Sequence, residues 1–176
     1  SGMVRKVLPS GNPKLRESSK LVGKIDKKVL SVVKDLKETL SIQKDPEGVG
    51  LAAPQIGRPL RIFVMLDAGE LKAVINPEII NVSQKKSGKL KRGEIMEGCL
   101  SLPYYYGPLK RPKKITIKYI DEEGSEKIED FVGFTAQIVQ HEIDHLNGIL
   151  FIDRLLENKK PLYKLVGDEW EEVELT

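Results

Sequence analysis

The sequence predicts an α+β domain in which small antiparallel or mixed strands surround a central helix, with a second amphipathic helix packed outside. Three observations support this fold class. An apolar period of three to four residues marks one helix near the start of the chain and another toward its end. Short segments rich in β-branched residues lie between them. No repeat or Pro/Gly linker divides the 176 residues, so we expect one domain over 1–176, with Ser1 and Gly2 left over from cloning.

The first helix is predicted over residues 24–43. Asp45-Pro46 ends it, because the residue before a proline disfavours the helical conformation. The glycine-rich stretch "GVGLAAPQ" (48–55) follows, and "LRIFVML" (60–66) then indicates a strand. The apolar positions that give the helix its period share one face: Ile25, Val29, Val32, Val33, Leu36 and Leu40.

Further strands are predicted in pairs. "LKAVINP" and "EIINVS" indicate two short strands broken at Asn76-Pro77. "KITIKYID" and "KIEDFV", joined by the turn sequence "DEEGSE", indicate a β-hairpin. The second helix is predicted to begin near Gly133 and to end at Asn147-Gly148, because glycine readily takes the left-handed conformation that ends many helices. The tail "LYKLVGDEWEEVEL" favours a short pair of strands over a long terminal helix.

Composition narrows the possible partners and compartments. No apolar run approaches the roughly 18 residues needed to span a bilayer, and no secretory signal is present. The net charge is +3, and lysines cluster at 84–92. This basic stretch lacks interleaved aromatic residues, which favours a solvated loop over a nucleic-acid site. A single cysteine excludes an internal disulfide and is typical of a reducing cytosol. We therefore expect no membrane association and no direct nucleic-acid function.

The only two histidines of the chain stand one helical turn apart, in "HEIDH". On a helix, His141 and His145 share one face. That face continues an apolar stripe formed by Phe134 and Ile138, so both imidazoles point inward, and two ring nitrogens at this spacing reach one metal ion. Glu142 lies beside the stripe, offset from the ligands but placed to act as a general base on a metal-activated water. The alternative is a pair of core histidines with satisfied hydrogen bonds.

A catalytic metal site of this type needs a third protein ligand and an open position. The longer motif HExxHxxGxxH places a third histidine where this chain has Phe151. Glu157, Glu169 and Glu171 are acidic alternatives without a clear helical setting. The remaining soft donor is Cys99 in "EGCLS", whose use would engage every imidazole and thiol of the chain. A rival interpretation, with Cys99 as a nucleophile and a histidine as its base, leaves the second histidine unexplained.

Three segments together resemble the peptide deformylase family: "GVGLAAPQ" at 48–55, "EGCLS" at 97–101 and "HEIDH" at 141–145. They occur in the family's order, "GNPKLR" near the start is also similar, and the resemblance extends to Leu155. It implies a catalytic domain that removes the formyl group from the N-terminal formyl-methionine of newly made proteins and releases formate, in the bacterial cytoplasm or in an organelle. It also implies one divalent metal, Fe²⁺ foremost, with Zn²⁺, Ni²⁺ or Co²⁺ as substitutes. The expected partners are formyl-methionyl nascent chains, at the ribosome, and the enzyme is expected to be a monomer.

The resemblance also assigns the reacting groups. Glu142 accepts the proton of the attacking water and returns it to the leaving amine, a contribution of about 10²–10⁴-fold. The oxyanion that forms receives hydrogen bonds from the side-chain amide of Gln55 and the backbone N–H of Leu100. The implied metal ligands are Cys99, His141 and His145.

The resemblance further implies a substrate pocket and its supports. The glycines at 48 and 50 let an extended peptide approach the backbone, although a flexible turn explains them equally well. Asp144 is expected to pair with Arg111, the alternative being a surface ion pair worth under ~1 kcal/mol. The three tyrosines of "LPYYYGPLKR" depart from common family members, and this stretch is expected to flank the peptide cleft. The expected pocket residues, which are otherwise ordinary core, are Val49, Gly50, Phe134 and Ile138.

Two other functions are weighed against this one. A metallopeptidase of the HExxH type would cut internal peptide bonds, use a third ligand other than Cys99 and tolerate its replacement by alanine. A non-enzymatic RNA- or ribosome-binding module would use the basic stretch 84–92 and hold zinc only as a structural element. That module needs a closed site of four ligands, and the chain has no fourth histidine or cysteine.

Overall fold

A computed structural model describes residues 2–44, 47–83 and 96–175. Its nine strands form two sheets in which every neighbouring pair is antiparallel, and its three α-helices pack against them, which confirms the predicted α+β class. The first sheet has the order β1-β2-β3-β6-β7 and the second β4-β5-β8-β9. The strands are β1 (Gly50–Ala52), β2 (Ile62–Asp67), β3 (Glu70–Val82), β4 (Glu97–Cys99), β5 (Leu102–Gly107), β6 (Lys114–Ile120), β7 (Glu126–Val132), β8 (Leu162–Val166) and β9 (Glu169–Val173).

The first helix, α1 (Lys27–Ser41), is shorter than the predicted 24–43. It begins after Asp26, whose extended backbone and side chain cap the helix by accepting a hydrogen bond from Val29 N at 3.0 Å. Its apolar face packs on the first sheet, from the side opposite to the central helix, and buries residues such as Leu36 and Val64 completely. The predicted position outside the sheet is confirmed.

The predicted break at Asn76-Pro77 is wrong, because β3 continues through it. The pairing of β3 with β6 shifts register between Ile75 and Glu78, so the missing N–H of Pro77 falls where the ladder is interrupted. Asn76 takes a left-handed φ of 52° there. Its side-chain amide exchanges two hydrogen bonds with the backbone of Val22, at 2.7 and 2.8 Å, which holds the irregular backbone in place.

The central helix, α2 (Phe134–Leu146), begins and ends where the sequence predicts. Gly133 is its N-cap and Gly148, with φ of 72°, follows its end. One face of α2 packs on the first sheet, where Ala136, Val139 and Leu146 are fully buried. The β6–β7 hairpin and the C-terminal pair β8–β9 are also confirmed. The sequence did not predict α3 (Phe151–Glu157), which is too short to show a helical period.

Two other expectations concern a membrane-spanning helix and the basic stretch at 84–92. Across the described residues, no helix combines the length and the apolar character needed to cross a bilayer. The basic stretch at 84–92 lies outside the described residues.

Candidate active site

The helix α2 places the two histidines one turn apart on its inward face. The ring centroids of His141 and His145 are 4.9 Å apart, and both side chains are buried. Burial favours the neutral form of an imidazole, and together with the nearby charge of His141 it lowers the pKa of His145 well below its ordinary value. The neutral ring is the form in which histidine binds a metal.

The thiol of Cys99, on β4, lies at the same point. Its Sγ is 3.3 Å from Nε2 of His145, and the donor atoms of Cys99, His141 and His145 all lie within 4.8 Å of one another. Among the described residues, no carboxylate oxygen joins this group. The acidic alternatives weighed from the sequence stand on other elements, Glu157 in α3 and both Glu169 and Glu171 in β9.

The donor set fits a divalent metal ion. Two imidazoles and one thiolate suit a borderline-soft cation such as zinc or ferrous iron. Within the described part of the chain, two atoms beside the trio are buried without a hydrogen-bond partner, Nδ1 of His145 and Oε1 of Glu142. An unpaired buried polar atom costs free energy unless a further group engages it, and such atoms concentrate at functional sites.

Glu97 is a buried carboxylate beside the histidines that sequence reasoning did not single out. Its Oε2 lies 2.8 Å from Nδ1 of His141, and it accepts two hydrogen bonds from Arg111, both at 2.8 Å. Burial alone would raise the pKa of Glu97, but Arg111 and His141 together hold it well below its ordinary value. Burial alone would lower the pKa of His141. Its hydrogen bonds with the Cys99 thiol and with Glu97 outweigh burial and raise this pKa well above its ordinary value.

The expected pair of Asp144 and Arg111 is present, with Nη1 of Arg111 3.0 Å from Oδ2 of Asp144. Both side chains are buried, so the alternative of a surface ion pair is wrong. Asp144 also accepts two hydrogen bonds from Arg154 of α3, at 2.9 and 3.1 Å. A continuous network therefore runs from α3 through Asp144, Arg111 and Glu97 to the ring of His141.

Glu142 is a buried acid in the site, and its Oε1 has no hydrogen-bond partner within the part of the chain that the structure describes. Desolvation raises the pKa of its carboxyl to about 7, against smaller opposing contributions such as that of His141. The backbone of Gly50 approaches it so closely that a Cβ at that position would lie 2.5 Å from Oε2 of Glu142. A carboxyl whose pKa lies near neutrality is suited to take up and release a proton in the same cycle.

The amide of Gln55 is fixed by three contacts. Its Oε1 accepts a hydrogen bond from the backbone N–H of Ala52 at 2.9 Å, which directs its NH₂ group the other way. That group donates to Oγ of Ser101 at 3.0 Å and lies 3.6 Å from Sγ of Cys99. Gln55 is 1% exposed, so the alternative of a solvated loop amide is wrong. Ser101, which was not singled out from the sequence, helps to orient it.

A cavity of about 310 Å³ opens onto these groups. The four expected pocket residues all line it, together with Leu100, Gln55 and the side chains at the reacting centre. Ile138 is buried in its wall, whereas Phe134 is 47% exposed and borders its mouth. The four are Val49, Gly50, Phe134 and Ile138.

Comparison with known proteins gives consistent matches. The family model described as polypeptide deformylase matches residues 4–161. A peptide deformylase from Pseudothermotoga lettingae is 46% identical over 159 residues, which are 90% of this chain and 86% of that relative. The crystal structure of peptide deformylase from Thermotoga maritima matches with a TM-score of 0.77 at 38% identity. The match covers 86% of this chain and 97% of the chain in that structure. The crystal structure of peptide deformylase from Ehrlichia chaffeensis in complex with actinonin matches with a TM-score of 0.80 at 36% identity. This match covers 89% of this chain and 91% of the chain in that structure.

Proposed function

Because the chain belongs to the polypeptide deformylase family, we propose that Cys99, His141 and His145 hold the divalent metal ion on which its reaction depends. The protein is a hydrolase that removes the formyl group from the N-terminal formyl-methionine of newly synthesised polypeptides and releases formate. The observation that carries the site assignment is the convergence of one thiol, two imidazoles and the buried carboxyl of Glu142 beside one cavity. The relatives are deformylases, which leaves the alternative of an endopeptidase without support.

The metal that we propose is Fe²⁺, with Zn²⁺, Ni²⁺ and Co²⁺ as substitutes. The set of one thiolate and two imidazoles suits each of these ions, so the preference for iron rests on the family rather than on the donors. When bound, a divalent ion supplies Lewis acidity, which activates water at neutral pH and polarises the formyl carbonyl.

Glu142 is proposed as the group that moves the proton. It accepts a proton from the attacking water at a carboxylate oxygen and donates it to the amine that leaves with the peptide. Its burial beside the proposed ligands supports this role, as does the pKa of about 7 that desolvation gives its carboxyl in the metal-free protein. The close backbone of Gly50 restricts the positions that its carboxylate can occupy.

Gln55 and Leu100 are proposed to stabilise the oxyanion. The NH₂ group of Gln55 is already aimed at Cys99, because Ala52 fixes the other end of the amide. Leu100, which would supply its backbone N–H, directly follows Cys99 in the chain and lines the cavity. Loss of one such donor typically costs ~3–4 kcal/mol of transition-state stabilisation.

The methionine side chain is proposed to lie against Val49, Gly50, Phe134 and Ile138. These residues form an apolar wall next to the reacting centre, and the cavity of about 310 Å³ is at the lower end of the range of small-molecule sites. Gly50 belongs to the short strand β1, whose edge can pair with an extended peptide. Arg111 and Asp144 are proposed to hold His141 in position through Glu97.

The setting in which the enzyme works is also a proposal. We take residues 1–176 to act as one catalytic domain and a monomer, since both sheets and α2 of a single chain supply the site. Formyl-methionyl nascent chains at the ribosome are the proposed partners, without direct binding of nucleic acid by the protein. The bacterial cytoplasm is the proposed location, because a metal-binding Cys99 must stay reduced.

The activity is tested by measuring formate release from a formyl-methionyl peptide, with protein purified without oxygen and loaded with Fe²⁺. The wild type is expected to release formate, and Glu142→Ala to lose about 10²–10⁴-fold in kcat while retaining the metal. Glu142→Gln, which keeps the shape of the side chain, should behave like Glu142→Ala. Equal activity in these variants would refute the role of Glu142, and cleavage of internal bonds in an unformylated peptide would favour the endopeptidase.

The ligand assignment is tested separately by metal analysis of Cys99→Ala. We expect the metal content to fall well below one equivalent, together with activity, because two imidazoles alone hold a divalent ion weakly. If Cys99→Ala keeps its metal content and its activity, the thiol is not a ligand. Unfolding curves of the metal-free proteins serve as the control for a change in the fold.

A further inference from the structure

The second sheet, β4-β5-β8-β9, carries three aromatic side chains in or beside the wall of the cavity. Tyr104 and Tyr106 alternate along β5, and both line the cavity. The ring of Trp170, on β9, meets the ring of Tyr106 edge to face, with centroids 5.3 Å apart and planes at 86°. We refer to Tyr104, Tyr106 and Trp170 as the aromatic rim. Tyr105, whose side chain points to the other face, packs instead in the small core with Leu162.

The aromatic rim begins next to a proposed metal ligand. Tyr106 pairs with Gly98, the residue before Cys99. A Cβ at Gly98 would lie 2.6 Å from the ring of Tyr106, so the ring rests directly against the backbone of β4. Only glycine allows this approach. Tyr106 therefore forms the wall of the cavity on the side of Cys99.

An irregularity in the strand pair brings Tyr104 to the mouth of the cavity. The register of β4 and β5 shifts after Gly98, so that Cys99 pairs with Leu102. Within the resulting bulge Tyr104 has a φ of 71°, a strained conformation for a residue with a side chain. Such strain persists only where the surroundings impose it, and it concentrates at binding sites.

The rim presents apolar area at this mouth. Tyr104, which lines the cavity, is 38% exposed, and Trp170, whose ring contacts the cavity-lining Tyr106, is 47% exposed. Exposed apolar surface that adjoins a cleft is typical of a binding surface. Trp170 also lies beyond residues 4–161, the segment that the family model matches, so this part of the rim belongs to the tail of this chain.

We propose that the aromatic rim is a specificity-determining surface that contacts the third and fourth residues of the formylated chain and favours aromatic side chains there. The proposal rests on the proposed function, which places the formyl group at Cys99 and the methionine against Ile138. An extended peptide advances about 3.4 Å per residue, so a chain that leaves the cavity beside Gly98 reaches Tyr106 and Trp170 within its next two or three residues. Edge-on contacts between aromatic rings add to the burial of apolar surface, which gives the rim its preference.

The test compares two peptides, formyl-Met-Ala-Tyr-Ala and formyl-Met-Ala-Ser-Ala, by the KM for formate release. We expect the wild type to have a lower KM for the tyrosine peptide by about three- to tenfold, the size of an aromatic contact with its buried area. In Trp170→Ala this ratio of KM values should fall toward one, because the outer part of the rim is lost and Tyr106 is no longer supported. Trp170→Phe, which retains an aromatic ring, should restore most of the ratio.

Two further variants separate the rim from general effects on the fold. Val166→Ala, at a residue of the same hairpin that is 46% exposed, should keep the wild-type ratio. Tyr104→Asn removes a ring while tolerating the left-handed backbone, and should lower the ratio. An unchanged ratio in both Trp170→Ala and Tyr104→Asn would overturn the proposal. Absence of formate release from both peptides by the wild type would instead refute the proposed function.

Discussion

The carboxylate of Glu97 lies 2.8 Å from Nδ1 of His141, across the boundary between β4 and α2. Since an ionised carboxylate can only accept hydrogen bonds, Nδ1 carries a proton, which leaves Nε2 as the nitrogen that offers its lone pair to a metal in the neutral ring. Two hydrogen bonds from Arg111 hold the carboxylate in place. One buried acid thus fixes both the tautomer and the orientation of a proposed ligand.

Replacement of Glu97 by glutamine is expected to weaken metal binding by about 10–100-fold, the usual effect of losing such a partner. The amide can still contact His141, but it carries no charge and loses the ion pair with Arg111. Competition with a chromophoric chelator measures the affinity. Glu126→Gln, at an exposed carboxylate paired with Lys118, is the control and should bind metal like the wild type. An unchanged affinity in Glu97→Gln would show that this contact does not support the site.

The two arginines bound to Asp144 should differ in their effect on stability. Arg111→Leu leaves Glu97 without its arginine partner in a buried position, which we expect to cost about 3–5 kcal/mol of unfolding free energy. Arg154→Leu should cost about 1 kcal/mol or less, because Arg154 is one-third exposed and Asp144 keeps Arg111. Urea unfolding of the metal-free proteins measures both values. Equal losses of unfolding free energy in the two variants would contradict the expectation that Arg111 stabilises the fold more than Arg154 does.

The raised pKa of Glu142 predicts how stability depends on pH in the metal-free protein. The folded carboxyl, with a pKa of about 7, binds more protons than the unfolded one at any pH between their pKa values. Stability should therefore fall as the pH rises from about 4.5 to 7, by on the order of 2–3 kcal/mol from this group. Glu142→Gln should remove that part of the slope. His141 and Cys99 are present in both proteins, so the difference between the two curves reports Glu142 together with its Coulombic coupling to His141, and parallel curves would refute the shift.

The approach of Gly50 to Glu142 can be tested by adding one methyl group. In Gly50→Ala the new Cβ would lie 2.5 Å from Oε2 of Glu142 and 3.0 Å from Cγ2 of Ile138, so the carboxylate must move. A displacement of about 1 Å at a reacting group can cost on the order of 10²-fold in rate. We expect a loss of this size in kcat with the metal content unchanged. Gly23→Ala, where the added Cβ meets open space, should retain full activity.

The elements with a regular period were predictable, and the short ones were not. The α2 helix repeats its apolar spacing over several turns, and the β6–β7 hairpin alternates over seven residue pairs. In both, local propensity and the pattern of burial predict the same secondary structure. The helix α3 has seven residues and β4 has three, too few to show a period. The continuous β3 was mispredicted because Asn76 is held by Val22, a contact between residues far apart in the chain.

In the candidate site, too, some residues were predictable from the sequence and others were not. The placement of His141, Glu142 and His145 follows from the sequence, because a helix fixes the relative positions of residues one turn apart. The motif "EGCLS" contains Glu97, yet nothing local indicates that this glutamate is buried. Its role becomes visible only when β4 is packed against α2 and Arg111.

The sequence by itself determined the spacing of the two histidines, the number of soft donors available and, by resemblance, the family of the enzyme. Only the tertiary structure decided that Cys99 meets His145, that Glu97 holds His141 and that the ring of Trp170 contacts Tyr106. The physical reason is that backbone geometry links residues three or four apart on a helix. Contacts between distant segments depend instead on how the sheets and α2 pack together, which no short stretch of sequence encodes.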